Sequence, residues 1–223
     1  MFEELSNPLR IENDNITVLC VENKAILQKI ANELMSNCEN DYLIFSYRNN
    51  PIKYKNDCLT VFNYFSLEFP SAFIKKLYSG ICNLINVEMP EMLSNLHSNI
   101  LEVLQQINTL YDFELTYDCD FELASLLKMQ SLTPDLSGES MIEKLIDYLS
   151  VISKYDAKKC YVLLLPSNYF SKYEIKELRN FACLKKLRIF ILDITAEIYK
   201  NLSVPLTIID NDLCEIVDTP QIL

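Results

Sequence analysis

Two glycines, Gly80 and Gly138, are all that 223 residues contain, and this scarcity restricts the possible folds more than any other feature. A loop that cradles phosphate needs backbone N–H groups converging on an anion without Cβ clashes. That calls for glycines, with a lysine and a hydroxyl at fixed offsets. Neither a P-loop nor a G-x-G-x-x-G turn can be written anywhere in this chain. Yet KKCYVLLLPSNYFSKYEIKELRNF, residues 158–181, reads as a buried strand, a short loop and an amphipathic helix, the local plan of many nucleotide-binding proteins. Ser171 and Glu174 form a capping box that fixes the helix start. The loop carries its serine and lysine in the wrong order, and only Asn168 tolerates positive φ cheaply. Nucleotide binding is therefore not expected by either glycine-dependent route.

The same strand-and-helix rhythm recurs at both ends of the chain. ITVLCV (residues 16–21) and YLIFSY (residues 42–47) are apolar runs of strand length. Between them a helix opens on Asn23 as N-cap and puts Ile26, Ile30 and Leu34 on one face. Further on, YVLLL, LRIFILDI, LTIID and LCEIV read as strands, with the Ser171 helix and the segment TAEIYKNL between them. Near-continuous apolar strands alternating with helices imply an α/β fold with a mostly parallel sheet covered on both faces.

From about residue 67 to 155 the period becomes helical. Pro90 opens a helix whose Leu93, Leu96, Ile100, Leu104, Ile107 and Tyr111 recur at three and four residues, the seam of packed helices. A second helix starts at a Ser140–Glu143 capping box and carries Met141, Leu145, Leu149 and Ile152. The expected organisation is an α/β domain in two pieces, residues 1–66 and 156–223, with a helical domain, residues 67–155, inserted. The sole histidine, His97, lies beside the first seam without a second titratable partner in the pattern, which suits packing better than catalysis.

Half the residues are hydrophobic, with 13 Tyr and 11 Phe, enough for a buried core. The acidic start MFEELSNPLR has no apolar signal region, and no run approaches the ~18 residues of a membrane span. A soluble, cytoplasmic protein is expected. The eight cysteines never form a C-x-x-C pair and several sit inside apolar runs, as buried thiols do in a reducing compartment.

Charge is unevenly spread. The net charge of −11 opposes nonspecific binding of nucleic acid by the molecule as a whole. Residues 154–188 nevertheless hold nine basic against three acidic residues. Lys172, Lys176 and Arg179 recur at four and three residues along one helix face, either as a solvated stripe or as a surface that tracks phosphates. Its counterpart is YDFELTYDCDFELASLL, residues 111–127, with Asp112, Glu114, Asp118, Asp120 and Glu122. Carboxylates at alternate positions can converge on a hard cation such as calcium, although the EF-hand glycine is missing. They can equally decorate a helix N-terminus, where acids suit its dipole, or hold the metals of a nuclease or phosphoesterase.

The order ITVLCVEN, YLIFSY, a helical block, LTYDCDFELASLLK, KKCYVLLLPSNYFSKYEIKEL and LRIFILD resembles the type II-A CRISPR adaptation proteins of the Csn group over essentially the whole chain. The resemblance rests on this pattern and on scattered identities, not on a catalytic signature. It implies a head similar to P-loop ATPases but lacking the nucleotide loop, with a helical leg. It further implies a noncatalytic homotetrameric ring that encircles double-stranded DNA, binds calcium near the head–leg junction, and serves spacer acquisition in antiviral defence. The spacer integrase and the RNA-guided nuclease are its implied partners. For calcium, Asp118 in LTYD matches the family's acidic junction most clearly, with Glu114 before it and Asp120, Glu122 and Asp135 after it. Thr116 stands where relatives are acidic. For DNA, Lys172 matches a family [ST]K at the helix start and Lys158 and Lys159 match a basic run before the strand. Lys176 and Arg179 continue that helix face, and Lys128 and Lys144 lie on the helical side. A metal-dependent nuclease or phosphoesterase using residues 112–122, or a protein–protein adaptor, remain the alternatives.

Overall fold

The first strand, β1 (Asn15–Val21), is buried along almost its whole length, and the rest of the sheet assembles around it. A computed structural model describes residues 8–11, 13–39, 43–118 and 120–218. After β1 come α1 (Lys24–Met35), a small hairpin of β2 (Ser46–Tyr47) and β3 (Asn50–Pro51), α2 (Tyr54–Asp57) and β4 (Cys58–Val61). The helices α3 (Ser71–Glu88), α4 (Pro90–Asn108), α5 (Leu123–Met129) and α6 (Met141–Tyr155) follow. The chain closes with β5 (Cys160–Leu164), a 3-10 turn (Pro166–Asn168), α7 (Lys172–Lys185), β6 (Arg188–Asp193), β7 (Leu206–Ile209) and β8 (Glu215–Asp218).

The main sheet has six strands in the order β4-β5-β6-β1-β7-β8, all parallel except the antiparallel β7–β8 pair. The α/β expectation holds. Strands β5 and β6 are as deeply buried as β1, which is why they read as unbroken apolar runs. On one face Leu27, Ile30 and Leu34 of α1 pack with Leu19, Val162, Phe190 and Leu192. On the other, α7 contacts β1 and α6 contacts α7. Asn23 caps α1 as expected, its Oδ1 accepting from the N–H groups of Ala25 and Ile26. Both capping boxes, Ser140–Glu143 and Ser171–Glu174, form in full.

The chain divides into two compact units, Met1–Glu68 with Leu136–Leu223, and Phe69–Asp135. The inserted block was expected to run to residue 155, whereas α6 belongs to the first unit. Its Ile142, Leu145, Tyr148, Leu149 and Ile152 are buried, and Tyr148 Oη donates to the Glu68 carbonyl at 3.0 Å. Helical period alone cannot tell a helix that covers a sheet from one that packs on helices.

One expected strand, residues 42–47, is cut down among the described residues to Ser46–Tyr47. Residue 42 lies outside the described residues, and residues 43–45 form no strand. Among the described residues Ser46–Tyr47 pairs with Asn50–Pro51 alone, because Arg48 and Asn49 both take left-handed φ, 52° and 64°, and turn the chain back at once. Leu43 and Phe45 still pack against the α1 side of the core, so their apolar character is met without a ladder. The edge strand is supplied by β4, a four-residue run too short to show a period.

Glycine scarcity leaves a visible mark. Among the described residues every positive φ falls on another residue type, including Asn37, Asn201, Leu165 and Lys186. Gly138 serves close approach instead, since a Cβ there would stand 2.6 Å from Glu143 Cβ and from Lys144 N.

Candidate functional site

In open α/β sheets, ligands bind in the crevice beyond the carboxyl ends of the strands. Here protein side chains take that space beside β5 and β6. Leu165 leaves β5 in left-handed conformation (φ 51°) and starts the 3-10 turn. Ser167 then meets Asp193 at the end of β6, its Oγ donating to Oδ1 at 2.5 Å and its N–H to Oδ2 at 2.9 Å. Asp193 Oδ1 also accepts from the Ile194 N–H at 2.7 Å, and the Tyr199 hydroxyl donates to Oδ2. The carboxylate is fully buried. Tyr64 closes the layer, its hydroxyl donating to the Leu164 carbonyl at 3.0 Å and its ring lying 5.2 Å from Tyr169 and 5.0 Å from Phe170. Burial, and then the charge of Asp193, push both the Tyr64 and Tyr199 phenols well above their ordinary range. The glycine-free loop is thus pinned by a carboxylate from the next strand. Sequence reading placed the loop correctly and missed Asp193, whose only signal is an apolar strand ending in an acid.

The acidic segment lies in the second unit. Glu114, Asp118, Asp120, Glu122 and Asp135 are all exposed. Asp118, Asp120 and Glu122 line one open hollow with Phe121, Ser125, Leu126 and Met129. Two of these acids have local work, since Asp118 Oδ1 accepts from the Asp120 N–H at 3.0 Å and Ser125 Oγ donates to Glu122 Oε2 at 2.6 Å. Among the described residues no group of three or more His, Cys, Asp or Glu side chains is placed to hold a metal ion. His97 stacks on Phe121 with ring centroids 5.7 Å apart.

The basic residues separate into committed and free groups. Lys158 pairs with Asp156 at 2.8 Å and donates to the Asn56 carbonyl at 3.1 Å. Lys159 pairs with Asp57 at 3.1 Å. Lys172 and Lys176 are exposed on α7, Lys128 on α5 and Lys144 on α6, and none of the four forms an ion pair among the described residues. The expected solvent-facing stripe ends at Arg179, which is half-buried and whose Nε is shielded without a hydrogen-bond partner. It sits one position beyond the buried Leu178 and four beyond the buried Ile175, so its stem lies over the core edge.

The helical unit presents a different surface. The α4 seam was expected to be closed by neighbouring helices, yet no residue of α4 is fully buried. Leu96 is 36% exposed, Ile107 39% and Val103 54%. Within the unit, Phe73 and Tyr78 of α3 are the buried side chains of its helices, Tyr78 being fixed by a hydrogen bond to the Leu132 carbonyl at 3.0 Å. Leu93, Ile100 and Leu104 of the same stripe are half-buried.

Residues 36–213 match the profile of the family described as CRISPR-associated protein (Cas_Csn2). The chain belongs to the Csn2 family. Its role is accordingly CRISPR-associated. Pairwise comparison with curated proteins returns no match. Among solved structures, this Csn2-family chain is similar to cbiO1 from Clostridium perfringens, part of the ABC transporter complex cbiONQ. That pair shows 12% identity and a TM-score of 0.48 over 89% of this chain and 74% of the other. It is also similar to MJ1267, an ATP-binding cassette of an ABC transporter in its ADP conformation, with 14% identity and a TM-score of 0.43 over 89% and 77%. Among the described residues no helix is long and apolar enough to cross a membrane.

Proposed function

We propose that this Csn2-family protein is a noncatalytic accessory of spacer acquisition that assembles into a homotetrameric ring and holds double-stranded DNA, including its ends, without reading sequence. The observation that carries assembly is the open apolar face of α4, which a second copy can cover at no cost in new polar contacts. DNA contact falls to the exposed Lys172 and Lys176 of α7, with Lys128 and Lys144 as further candidates. Lys158 and Lys159 are reserved for Asp156 and Asp57. On a protein of net charge −11, binding must come from a local positive patch presented several times to one duplex, as a closed ring does. The spacer integrase and RNA-guided nuclease of the same system are the partners such an accessory would serve.

Calcium enters through the acidic segment. Among the described residues no group of three or more such side chains is placed to hold a cation, and on this reading the ligand set is completed on assembly or by rearrangement of the acidic segment. Calcium should then raise the melting temperature and the assembled fraction together, and Asp118→Ala with Asp120→Ala should abolish both effects. Unchanged melting in the double variant would leave these acids as surface decoration. The nuclease alternative rests on the shared hollow of Asp118, Asp120 and Glu122. Incubation of linear duplex with the protein and calcium, magnesium or manganese separates the readings. Binding without cleavage supports the ring, and cleavage abolished by Asp118→Ala overturns it.

A further inference from the structure

The opposite end of the sheet holds a cavity that the ring reading does not use. It opens at the amino ends of β5 and β6, under the β2–β3 hairpin, with a volume of about 1030 Å³. That lies at the upper end of the roughly 300–1000 Å³ of small-molecule sites. Its floor is apolar, made by Leu19, Ile30, Phe45, Ile52 and Phe190.

Its rim is cationic. Three basic groups gather around the half-buried ring of Tyr47. Arg48 Cζ lies 5.2 Å from the ring centroid, Arg188 Cζ 5.0 Å and Lys159 Nζ 5.8 Å, all within cation–π range. All four residues line the cavity. Lys159 shares its charge with Asp57, whereas Arg48 and Arg188 form no ion pair among the described residues. Like charges repel when brought together, so an anionic group beside Arg48 and Arg188 would relieve this grouping. A guanidinium stacked on an aromatic face keeps its edge N–H donors free, in the fork geometry that matches phosphate.

We propose that this cavity binds a nucleoside 5′-monophosphate unit, its phosphate held by Arg48 and Arg188 beside Tyr47 and its base and sugar received by the apolar floor. Two guanidiniums suit a dianionic phosphate better than a single carboxylate, and the floor requires a body with a nonpolar face. The site needs no glycine loop, because side chains supply the donors, and so it stands clear of the restriction that excludes a P-loop. The unit can come from a free mononucleotide or from the 5′ end of a DNA strand; the second source rests on the DNA-binding reading and the first does not.

Calorimetric titration of the full chain tests it, with a deoxynucleoside 5′-monophosphate, the unphosphorylated deoxynucleoside and inorganic phosphate as separate probes. The monophosphate should bind more tightly than either fragment. Arg48→Ala and Arg188→Ala should each weaken it at least about tenfold, as loss of a charge-assisted hydrogen bond does, while Lys185→Ala, at an exposed position of α7, leaves it unchanged. Because Arg188 is half-buried, Arg188→Lys provides a variant that keeps the charge and loses the fork. Absence of monophosphate binding, equal binding of the deoxynucleoside, or unaltered affinity in both arginine variants would overturn the site. Linear duplexes with 5′-phosphate and 5′-hydroxyl ends then identify the source. A preference for the phosphorylated end that Arg48→Ala removes assigns strand ends, and equal binding of both ends assigns the free nucleotide. Duplex binding lost altogether with monophosphate binding intact would count against the ring and not against this cavity.

Discussion

Asp193 accepts hydrogen bonds from Ser167 Oγ and N–H, the Ile194 N–H and the Tyr199 hydroxyl while fully buried. Its removal would orphan several buried donors at once. Asp193→Ala is expected to cost about 3 kcal/mol and Tyr199→Phe about 1–2 kcal/mol, given roughly 1–3 kcal/mol for each unsatisfied buried group, read by denaturant unfolding. Equal small losses would show that the 165–171 loop is held by packing alone. Cysteine reactivity offers a second residue-level check. Burial pushes the Cys160 thiol up to about 12 and those of Cys20 and Cys58 higher still, so thiolate is scarce at neutral pH. Mass spectrometry after brief alkylation should find Cys183 and Cys214, both exposed, modified first and those three protected. The buried cysteines were legible from their apolar neighbours. The Asp193 network was not, because Ser167 and Asp193 are 26 residues apart, and spacing carries no sign of a contact made through two adjacent strands.

At the scale of elements, the signals that succeeded were local and chemical. Asn23, Ser140 and Ser171 are short polar side chains at helix starts, and each caps its helix. Where long-range packing decides, the pattern failed. YLIFSY has strand propensity yet ends in a tight left-handed turn, and α6 carries a helical stripe that is buried in the sheet-bearing unit, against α7, and not in the insert. Because α6 buries Leu145 completely, Leu145→Ala should destabilise the protein by about 2–5 kcal/mol. A helix belonging to a loosely packed insert would lose far less. The α6 cap also has a pH signature. The Ser140 and then the Glu139 N–H groups hold the Glu143 carboxyl below its ordinary value of 4.5. The stabilisation is complete above that value and disappears as pH falls through the lowered folded-state pKa. Glu143→Gln should therefore lower the melting temperature near pH 7 and flatten its decline between about pH 5 and 3 relative to the parent.

For the whole molecule, the two-glycine composition excluded the glycine-dependent nucleotide loops, while the uneven charge and the apolar α4 stripe left assembly and DNA contact to be argued. What sequence could not supply is which lysines are already spoken for. Lys158 and Lys159 look identical to Lys172 and Lys176 until Asp156 and Asp57 are seen beside them. Assembly through α4 predicts that Val103→Glu with Ile107→Glu lowers the mass in solution to that of a monomer, about 26 kDa from the 25.9 kDa chain, without loss of helical signal, measured by light scattering and circular dichroism. Lys172→Ala with Lys176→Ala should weaken linear duplex of any sequence and flatten the salt dependence, whose log–log slope is about −0.9 per neutralised phosphate. Encirclement itself is tested most directly by competition between one DNA in two forms, covalently closed and linearised. A ring threaded over an end predicts that the linear form displaces bound duplex and the closed circle competes poorly; equal competition by the two forms would contradict it.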